Sequence, residues 1–162
     1  MRDVRVAILT VSDKASQGER EDKSGLLLKD LVEFAGGKVA EYKIVPDEMQ
    51  PIGSTLSEWA DNNKAQIIFT TGGTGLSARD VTPEATAKVI QREAPGFSEA
   101  LRQQSFKETK KAILSRGISG IRGKTLIINL PGSTKAVDEC FKILQPVLGH
   151  AVEILEGNTE HG

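Results

Sequence analysis

The chain has 162 residues, of which 38% are hydrophobic and 27% are charged, and its formal net charge at pH 7 is −1. These values are typical of one globular domain, so we expect residues 1–162 to form a single domain. The near-zero charge argues against nucleic acid or an anionic membrane as a partner, because neither would be attracted over a long distance.

Three further features narrow the class of protein. The single cysteine, Cys140, excludes an internal disulfide and a multi-cysteine metal site. No segment approaches the ~18 consecutive apolar residues of a membrane span. The opening residues, MRDVRVAILTVSD, lack the apolar core and cleavage site of a signal peptide. We therefore expect a cytoplasmic protein.

The first part of the chain alternates between strand and helix patterns. Residues 4–11 are a β-branched apolar run, which predicts a buried parallel strand, and the polar residues 12–23 predict a long loop. Ser24 is a suitable cap for a helix that ends at the two glycines 36–37. Residues 39–45 predict a second strand.

The middle part repeats this alternation. After a turn at residues 46–48, the apolar spacing of residues 52–59 predicts a helix that places Trp59 in the core or in a subunit interface. Residues 67–71 predict a third strand. Thr82 and Pro83 have the residue types of a helix cap and a first helical position.

The last part contains a helix at about residues 97–107, then two short segments, 112–116 and 120–122, which we expect to pair as strands. Residues 125–130 predict the last strong strand, and a closing helix follows from about residue 134. Cys140 lies on the apolar face of that helix, where a free cysteine packs as a small hydrophobic side chain.

The alternation predicts a three-layer α/β/α sandwich with a mostly parallel, mixed sheet. In such sheets ligands bind beyond the carboxyl ends of the strands. That rule selects Ser12 and Asp13 after the first strand and Pro46 and Asp47 after the second. It also selects residues 70–75 after the third strand and residues 130–133 after the last one.

The segment TTGGTG, residues 70–75, is the most unusual of these strand ends. Glycines allow positive φ angles and close approach of the backbone to a ligand, so that successive amides can surround an anion. The threonines add hydroxyl donors. A tight turn between a strand and a helix would use the same residues, so the loop by itself leaves both interpretations open.

Two familiar phosphate-binding loops do not fit. The P-loop requires a lysine directly after its last glycine, and Leu76 follows Gly75 instead. Residues 73–78 match G-x-G-x-x-A, but the dinucleotide motif must open a helix at once. Here the helix cannot begin cleanly before Thr82, so a dinucleotide dehydrogenase is disfavoured.

Arg79 and Asp80 follow the glycine loop. Arg79 has the chemistry to bind phosphate oxygens, and Asp80 to hold Mg²⁺ against phosphates. A surface ion pair or a helix cap would explain the same two residues. Asp13 is open in the same way, between assisting a nucleotide or metal and forming a turn after its strand.

With these residues in view, the chain resembles the Mog/MoaB family of molybdenum-cofactor biosynthesis proteins. The resemblance is carried by LTVSDKASQGEREDKSG, IVPDE, TTGGTGLSARDVTPEAT, APGFSEALR, AILSRG and LPGSTKAV, and it runs from about residue 4 to residue 155. It implies a molybdopterin-binding-like fold. It also implies transfer of AMP from Mg-ATP to the terminal phosphate of molybdopterin, with release of pyrophosphate.

The resemblance also implies roles for residues and partners. The family's two essential aspartates match Asp47 and Asp80, which would bind Mg²⁺. Residues implied by the resemblance to bind nucleotide or pterin are Gly72, Gly73, Thr74, Gly75, Ser115, Pro131, Gly132 and Ser133. Asp13 and Thr71 are added to this candidate set from their own positions at the strand ends. The family further implies a homotrimer and delivery of the product to a molybdenum-insertion enzyme.

Two other functions remain possible on sequence grounds. One is a non-catalytic, molybdopterin-binding scaffold of the same fold, and the other is a different nucleotidyltransferase. The pair Asp47 and Asp80 favours catalysis, because a binding module does not need two acids beside a phosphate. Glu99 and Arg102, three residues apart, are expected to form an exposed helix pair or to face the pocket.

Overall fold

The fold is described here from a computed structural model over residues 1–158. Within that range the strands are β1 (Arg5–Val11), β2 (Lys38–Val45), β3 (Ile67–Thr71), β4 (Arg92–Glu93), β5 (Ser119–Arg122) and β6 (Thr125–Leu130). The helices are α1 (Asp13–Ser16), α2 (Lys23–Phe34), α3 (Met49–Asp61), α4 (Thr82–Val89), α5 (Pro95–Phe106) and α6 (Thr134–Leu155). A 3₁₀ helix spans Lys110–Leu114.

The strands form one sheet in the order β2-β1-β3-β6-β5-β4. The first four are parallel to one another, whereas β5 pairs antiparallel with both β6 and β4. This arrangement confirms the predicted mostly parallel, mixed sheet. The tight β5–β6 turn requires Gly123, which has a φ of 61°.

The hydrophobic core is divided by the sheet into two layers. On β1, Val6 and Ile8 pack with α2 and α6, whereas Ala7 and Leu9 pack with α3 and α4. Successive strand side chains point to opposite faces, so a strand covered on both faces must be apolar at every position. This explains the continuous apolar runs, and it confirms the three-layer sandwich.

Cys140 belongs to the core, as predicted, and Trp59 takes the core position of the two that the sequence left open for it. Trp59 is 7% exposed and packs among the side chains of the α3 layer, and Cys140 is 2% exposed on the α6 layer. Burial raises the pKa of the Cys140 thiol to about 11. This thiol is therefore protonated at neutral pH and poorly reactive.

Two predictions for the start of the chain were wrong in detail. The predicted loop of residues 12–23 contains the short helix α1, which Ser12 caps by accepting a hydrogen bond from the amide of Ala15. The cap of α2 is Asp22 rather than Ser24, because the Asp22 carboxylate accepts from the amide of Gly25 at 3.0 Å. Ser24 is a buried residue of the first helical turn.

Two later predictions also need correction. Residues 112–116 do not form a strand, since Ala112 lies in the 3₁₀ helix, and β5 pairs instead with β4 and β6. Thr82 is the first residue of α4 and not its cap, because its hydroxyl donates to the carbonyl of Gly72 at 3.0 Å. Among residues 1–158, no helix is both long enough and apolar enough to cross a membrane.

Candidate active site

The carboxyl ends of β2, β1, β3 and β6 meet along one edge of the sheet, as the sequence predicted. The loops after β1 and β2 are joined directly. The amide of Asp13 donates to the Asp47 carboxylate at 2.8 Å, and the amide of Asp47 donates to the Asp13 carboxylate at 3.0 Å. These two hydrogen bonds fix both acids relative to one another.

The glycine loop follows β3 between these acids and the end of β6. Gly72 and Gly73 have φ angles of 100° and 70°, a conformation that side chains rarely allow. A Cβ on Gly72 would overlap the carbonyl oxygen of Val11, and one on Gly73 would overlap the Thr82 hydroxyl. Both glycines are therefore required by backbone conformation and by close packing.

The threonines of the loop are more structural than the sequence suggested. The hydroxyl of Thr70 accepts from Asn129, and the hydroxyl of Thr71 donates to the carbonyl of Pro131 at 2.7 Å. Thr71 thus ties the glycine loop to the turn after β6. Thr74 is also buried, and its carbonyl accepts from the amide of Arg116 at 2.8 Å.

Arg79 forms an ion pair, but its partner is Asp13 and not its neighbour Asp80. Its guanidinium donates twice to the Asp13 carboxylate, at 2.8 and 3.0 Å. Arg79 holds the pKa of Asp13 below its ordinary value, with the amide of Asp47 contributing in the same direction. The pair keeps Asp13 ionised and joins the loop of residues 77–80 to the end of β1.

Asp47 lies in a different electrostatic environment. Burial raises the pKa of Asp47, and the negative charges of Asp13 and Asp80 act in the same direction. The carboxylates of Asp13, Asp47 and Asp80 therefore repel one another, and Arg79 offsets this repulsion only in part. A bound cation would relieve that repulsion.

Asp80, which follows the glycine loop, is the third carboxylate of the site. We call Asp13, Asp47 and Asp80 together the acidic group. Its carboxylate accepts from the amide of Ser77 at 3.0 Å, and its own amide donates to the carbonyl of Ser77 at 2.9 Å. A Cβ on Gly75 would lie 2.9 Å from that carboxylate, so glycine leaves the room that Asp80 occupies. Asp80 thus faces the loop that precedes it.

Two cavities open on either side of the glycine loop. The first, which we name the α5 cavity, has a volume of about 510 Å³ and is enclosed by α5, the segment 109–117 and the start of α6. The second, the α2 cavity, has about 780 Å³ and is enclosed by the end of β1, residues 20–24 and Asp47. They share five residues, Gly72, Gly73, Asp80, Gly132 and Ser133.

The two cavities differ in the chemistry of the residues that line them. The α5 cavity has Leu101, Ala112 and Leu114 on its walls, with Lys111 and Lys135 among its cationic groups. The α2 cavity is lined by more polar groups. It contains Asp47 and Thr71, whereas Thr74, Gly75, Ser115 and Pro131 line the α5 cavity.

Asp47 and Asp80 are the carboxylates of the site that have the chemistry of Mg²⁺ ligands. Both carboxylates line the α2 cavity. In the described part of the chain, no group of three or more His, Cys, Asp or Glu is arranged to hold a metal. Mg²⁺ commonly takes one or two carboxylates and completes its shell with phosphate oxygens and water, so this donor set is suitable for Mg²⁺ beside a phosphate.

Several site residues were missed by the sequence prediction. Asn129 is buried at the base of the α5 cavity, where its amide group donates to the hydroxyls of Thr70 and Thr86. The hydrogen-bond partners of Asn129 are distant in sequence, so no local pattern indicates these contacts. Arg102, which the sequence analysis placed either in an exposed helix pair or facing the pocket, lines that cavity and donates to the carbonyl of Gly117 at 2.7 Å.

A second missed group lies at the α2 cavity. The Asp22 carboxylate accepts from the hydroxyls of Thr10 and Tyr42 while it caps α2. Burial raises the pKa of Tyr42, and the Asp22 carboxylate acts in the same direction. Asp22 is a suitable cap by residue type, but its contacts with Thr10 and Tyr42 come from two strands, so the sequence alone does not select it over Ser24.

Comparison with known proteins agrees with this arrangement. A family model described as a probable molybdopterin binding domain matches residues 7–150. The molybdopterin adenylyltransferase of Helicobacter pylori (strain J99) is 41% identical over 160 residues, which cover 98% of this chain and 91% of that protein. The molybdenum cofactor synthesis protein cinnamon of Drosophila melanogaster is 45% identical over 96% of this chain, which spans only 26% of that longer protein.

The fold has the same relatives. The crystal structure of the molybdopterin biosynthesis enzyme MoaB from Thermus thermophilus superimposes with a TM-score of 0.90, at 46% identity, over 95% of this chain and 97% of that one. The match of the family model covers the glycine loop, both cavities and the acids of the sheet edge. The chain therefore belongs to the family of probable molybdopterin-binding domains.

Proposed function

We propose that this protein is a molybdopterin adenylyltransferase, which transfers AMP from Mg-ATP to the terminal phosphate of molybdopterin and releases pyrophosphate. The observation that carries the proposal is the pair of cavities that share Gly72, Gly73 and Asp80. A reaction between two phosphate-bearing substrates needs two binding pockets that meet at a phosphate site. Further support comes from the name of the Helicobacter pylori relative, of which the chain covers 91%.

Each cavity would take one substrate. The α2 cavity contains both carboxylates and is suited to the metal-bound triphosphate of ATP. The α5 cavity combines apolar walls with Lys111 and Lys135, which suits a flat pterin that carries a phosphate. The two phosphates would then meet at the shared glycines, where the Gly132 and Ser133 turn forms the opposite wall.

The chemistry is a substitution at phosphorus. An oxygen of the molybdopterin phosphate forms a bond to the α-phosphorus of ATP, and the bond from that phosphorus to the bridging oxygen breaks. The electron pair of the broken bond leaves with pyrophosphate. No general base is needed, since a phosphate monoester is already ionised near neutral pH.

The protein contributes position and charge, which is what phosphoryl-type transfer requires. The amides of the glycine loop would hold phosphate oxygens, and Asp47 and Asp80 would hold Mg²⁺. When bound, that ion would neutralise the developing charge on the leaving pyrophosphate. Arg79 is free to exchange Asp13 for a phosphate, because its contact with Asp13 is a partly exposed ion pair.

Other site residues would act at the edges of the two pockets. Thr71 would hold the glycine loop against Pro131, and Asp13 would fix the backbone of Asp47. Ser115, at the wall of the α5 cavity, would contact the pterin.

We also propose that the whole chain acts as one domain, in the cytoplasm, and passes its product to a molybdenum-insertion enzyme. The proposed assembly is a homotrimer. Trp59 is buried within the chain, so it is unsuited to a subunit interface, whereas Val147 and Ile154 of α6 are 50% and 48% exposed. Sedimentation at equilibrium tests the trimer, which predicts three times the mass of one chain.

The proposed activity is tested by incubating the protein with molybdopterin, ATP and Mg²⁺ and measuring adenylylated molybdopterin and pyrophosphate. We expect both products in equal amounts, and neither when EDTA replaces Mg²⁺. Molybdopterin binding without product would instead indicate a scaffold. Absence of molybdopterin binding would indicate a different nucleotidyltransferase.

A further inference from the structure

We propose that Arg116 is a positioning residue of the transfer reaction, which holds both ends of the loop between Gly75 and Asp80. This role rests on the proposed adenylyl transfer, and it concerns a residue outside the glycine loop and outside the acidic group. By fixing the loop, Arg116 would hold the Asp80 carboxylate at the boundary of the two cavities.

The contacts of Arg116 span the whole loop. Its Nε donates to the carbonyl of Gly75 at 2.8 Å, and one terminal nitrogen donates to the carbonyl of Asp80 at 2.7 Å. Its backbone amide donates to the carbonyl of Thr74 at 2.8 Å. Arg116 therefore holds the backbone at three points: Thr74 before the loop, Gly75 at its start and Asp80 at its end.

The guanidinium is itself fixed from α4. Its two terminal nitrogens donate to the Glu84 carboxylate at 2.6 and 3.2 Å. Arg116 holds the pKa of Glu84 below its ordinary value, so this carboxylate stays charged near neutral pH. A planar fork that reaches two carbonyls and a carboxylate at once is a property of arginine that lysine lacks.

The loop needs this support because little else covers it. Residues 76–79 are exposed, and Leu76 retains 67% of its surface. Within the loop, the hydrogen bonds between Ser77 and Asp80 only close it on itself. The contact of Arg79 with Asp13 is an exposed ion pair, which is a weak restraint.

The position of Arg116 also links the loop to the α5 cavity. Ser115 and Gly117, its neighbours in the chain, both line that cavity. The wall of one proposed substrate pocket is thus joined, through the Arg116 side chain, to the backbone of Asp80, whose carboxylate lines both pockets. Loss of the guanidinium should disturb the chemical step more than the binding of either substrate.

The chain offers a matched control in Arg122. Its guanidinium also grips a carboxylate, that of Asp61 at 2.9 and 3.0 Å, and donates to the carbonyl of Val89 at 2.8 Å. Arg122 pairs with the first residue of β6 and so lies at the opposite edge of the sheet. Replacing Arg122 should lower stability much as replacing Arg116 does, but it should leave the candidate site unchanged.

The experiment compares steady-state transfer in wild type, Arg116→Gln and Arg122→Gln. We expect Arg116→Gln to lower kcat by about 10²-fold with both KM values within about 3-fold of wild type, because a displaced reacting group is penalised in the chemical step. Arg122→Gln should lower Tm by about as much as Arg116→Gln does, but it should leave kcat unchanged. Equal kcat in the two folded variants would overturn the proposal.

A second readout does not depend on activity. Hydrogen exchange of the amides of residues 75–81, measured without ligands, should be faster in Arg116→Gln than in Arg122→Gln, and equal exchange would also overturn the proposal. If wild type transfers no AMP, the proposed function fails, but this comparison still decides the clamp. If Arg116→Gln does not fold, Glu84→Gln replaces it, and unchanged kcat and exchange in that variant overturn the role.

Discussion

At the residue scale, Asp47 combines a proposed catalytic role with an unfavourable environment. Its carboxylate is partly buried beside Asp13 and Asp80, and burial raises its pKa. A group with a raised pKa in the folded state stabilises the fold below its unfolded pKa, and that contribution is lost as pH rises through the folded pKa. At neutral pH the charged Asp47 therefore lowers the stability of the protein.

We predict that Asp47→Asn raises Tm by a few degrees at pH 7.5 and that the gain shrinks toward pH 4.5, because the neutral amide removes the repulsion but can still accept from Asp13. Thermal unfolding at both pH values measures this. Asp61→Asn is the control of opposite sign, since Arg122 lowers the pKa of Asp61. Asp47→Asn being less stable than wild type at both pH values would contradict the electrostatic explanation.

The same scale shows how much of the site the sequence could predict. The position of Asp47 and Asp80 at one cavity was predictable, because each follows a predicted strand or its glycine loop, and strand ends in a parallel sheet share one edge. Arg116 stands in the AILSRG segment that carries the family resemblance, but its side-chain contacts with Gly75 and Asp80 could not be predicted, because they join residues 41 and 36 positions apart. Pairings of that kind depend on the tertiary fold and leave no local pattern.

At the element scale, the glycine loop is defined by backbone geometry. Gly73 has a positive φ, and a Cβ there would also approach the Asp47 carboxylate to 3.2 Å. Gly123 of the β5–β6 turn has a positive φ as well, but a Cβ there would meet no atom within 4 Å. Replacing Gly123 therefore measures the cost of backbone strain alone, whereas replacing Gly73 adds the cost of steric overlap.

We predict that Gly123→Ala lowers the free energy of unfolding by about 1 kcal/mol through backbone strain alone. Gly73→Ala should cost roughly 2–4 kcal/mol, because the overlap with Thr82 is added, and it should abolish AMP transfer. Denaturant unfolding and the transfer assay measure the two effects. Equal unfolding free energies in the two variants would show that the contact at Gly73 is unimportant.

Helix ends were the least predictable elements. Ser24 and Asp22 are both suitable caps by residue type, and the choice of Asp22 depends on Thr10 and Tyr42, which come from two strands of the sheet.

The segment 112–116 has apolar residues compatible with a short strand. Ile113 is nonetheless 65% exposed in the 3₁₀ helix, and β5, the strand expected to pair with this segment, pairs with β4 instead.

At the scale of the whole molecule, the fold was predictable because β1, β3 and β6 are buried, largely apolar runs that alternate with amphipathic helices. The division of the site into two cavities was not, since it arises where α5, α6 and the 3₁₀ helix pack around one side of the glycine loop. The assignment of one substrate to each cavity has a consequence for stability, because a ligand that binds only the folded state raises Tm.

We predict that Mg-ATP and molybdopterin each raise Tm, by an amount equivalent to about 2.7 kcal/mol at 100 times Kd. In Asp47→Asn the Mg²⁺-dependent part of the shift with ATP should disappear, whereas the shift with molybdopterin should remain. Thermal scans with and without Mg²⁺ measure this. Loss of the molybdopterin shift in that variant would place molybdopterin in the α2 cavity instead.

The most direct measurement is single-turnover transfer of AMP from ATP to molybdopterin by wild type, Asp47→Asn and Asp80→Asn. We predict that wild type forms adenylylated molybdopterin, whereas each variant keeps its fold, binds molybdopterin with a Kd within about 3-fold of wild type and transfers AMP at least about 10²-fold more slowly. Transfer at the wild-type rate by both variants would contradict a role for the two carboxylates in the reaction.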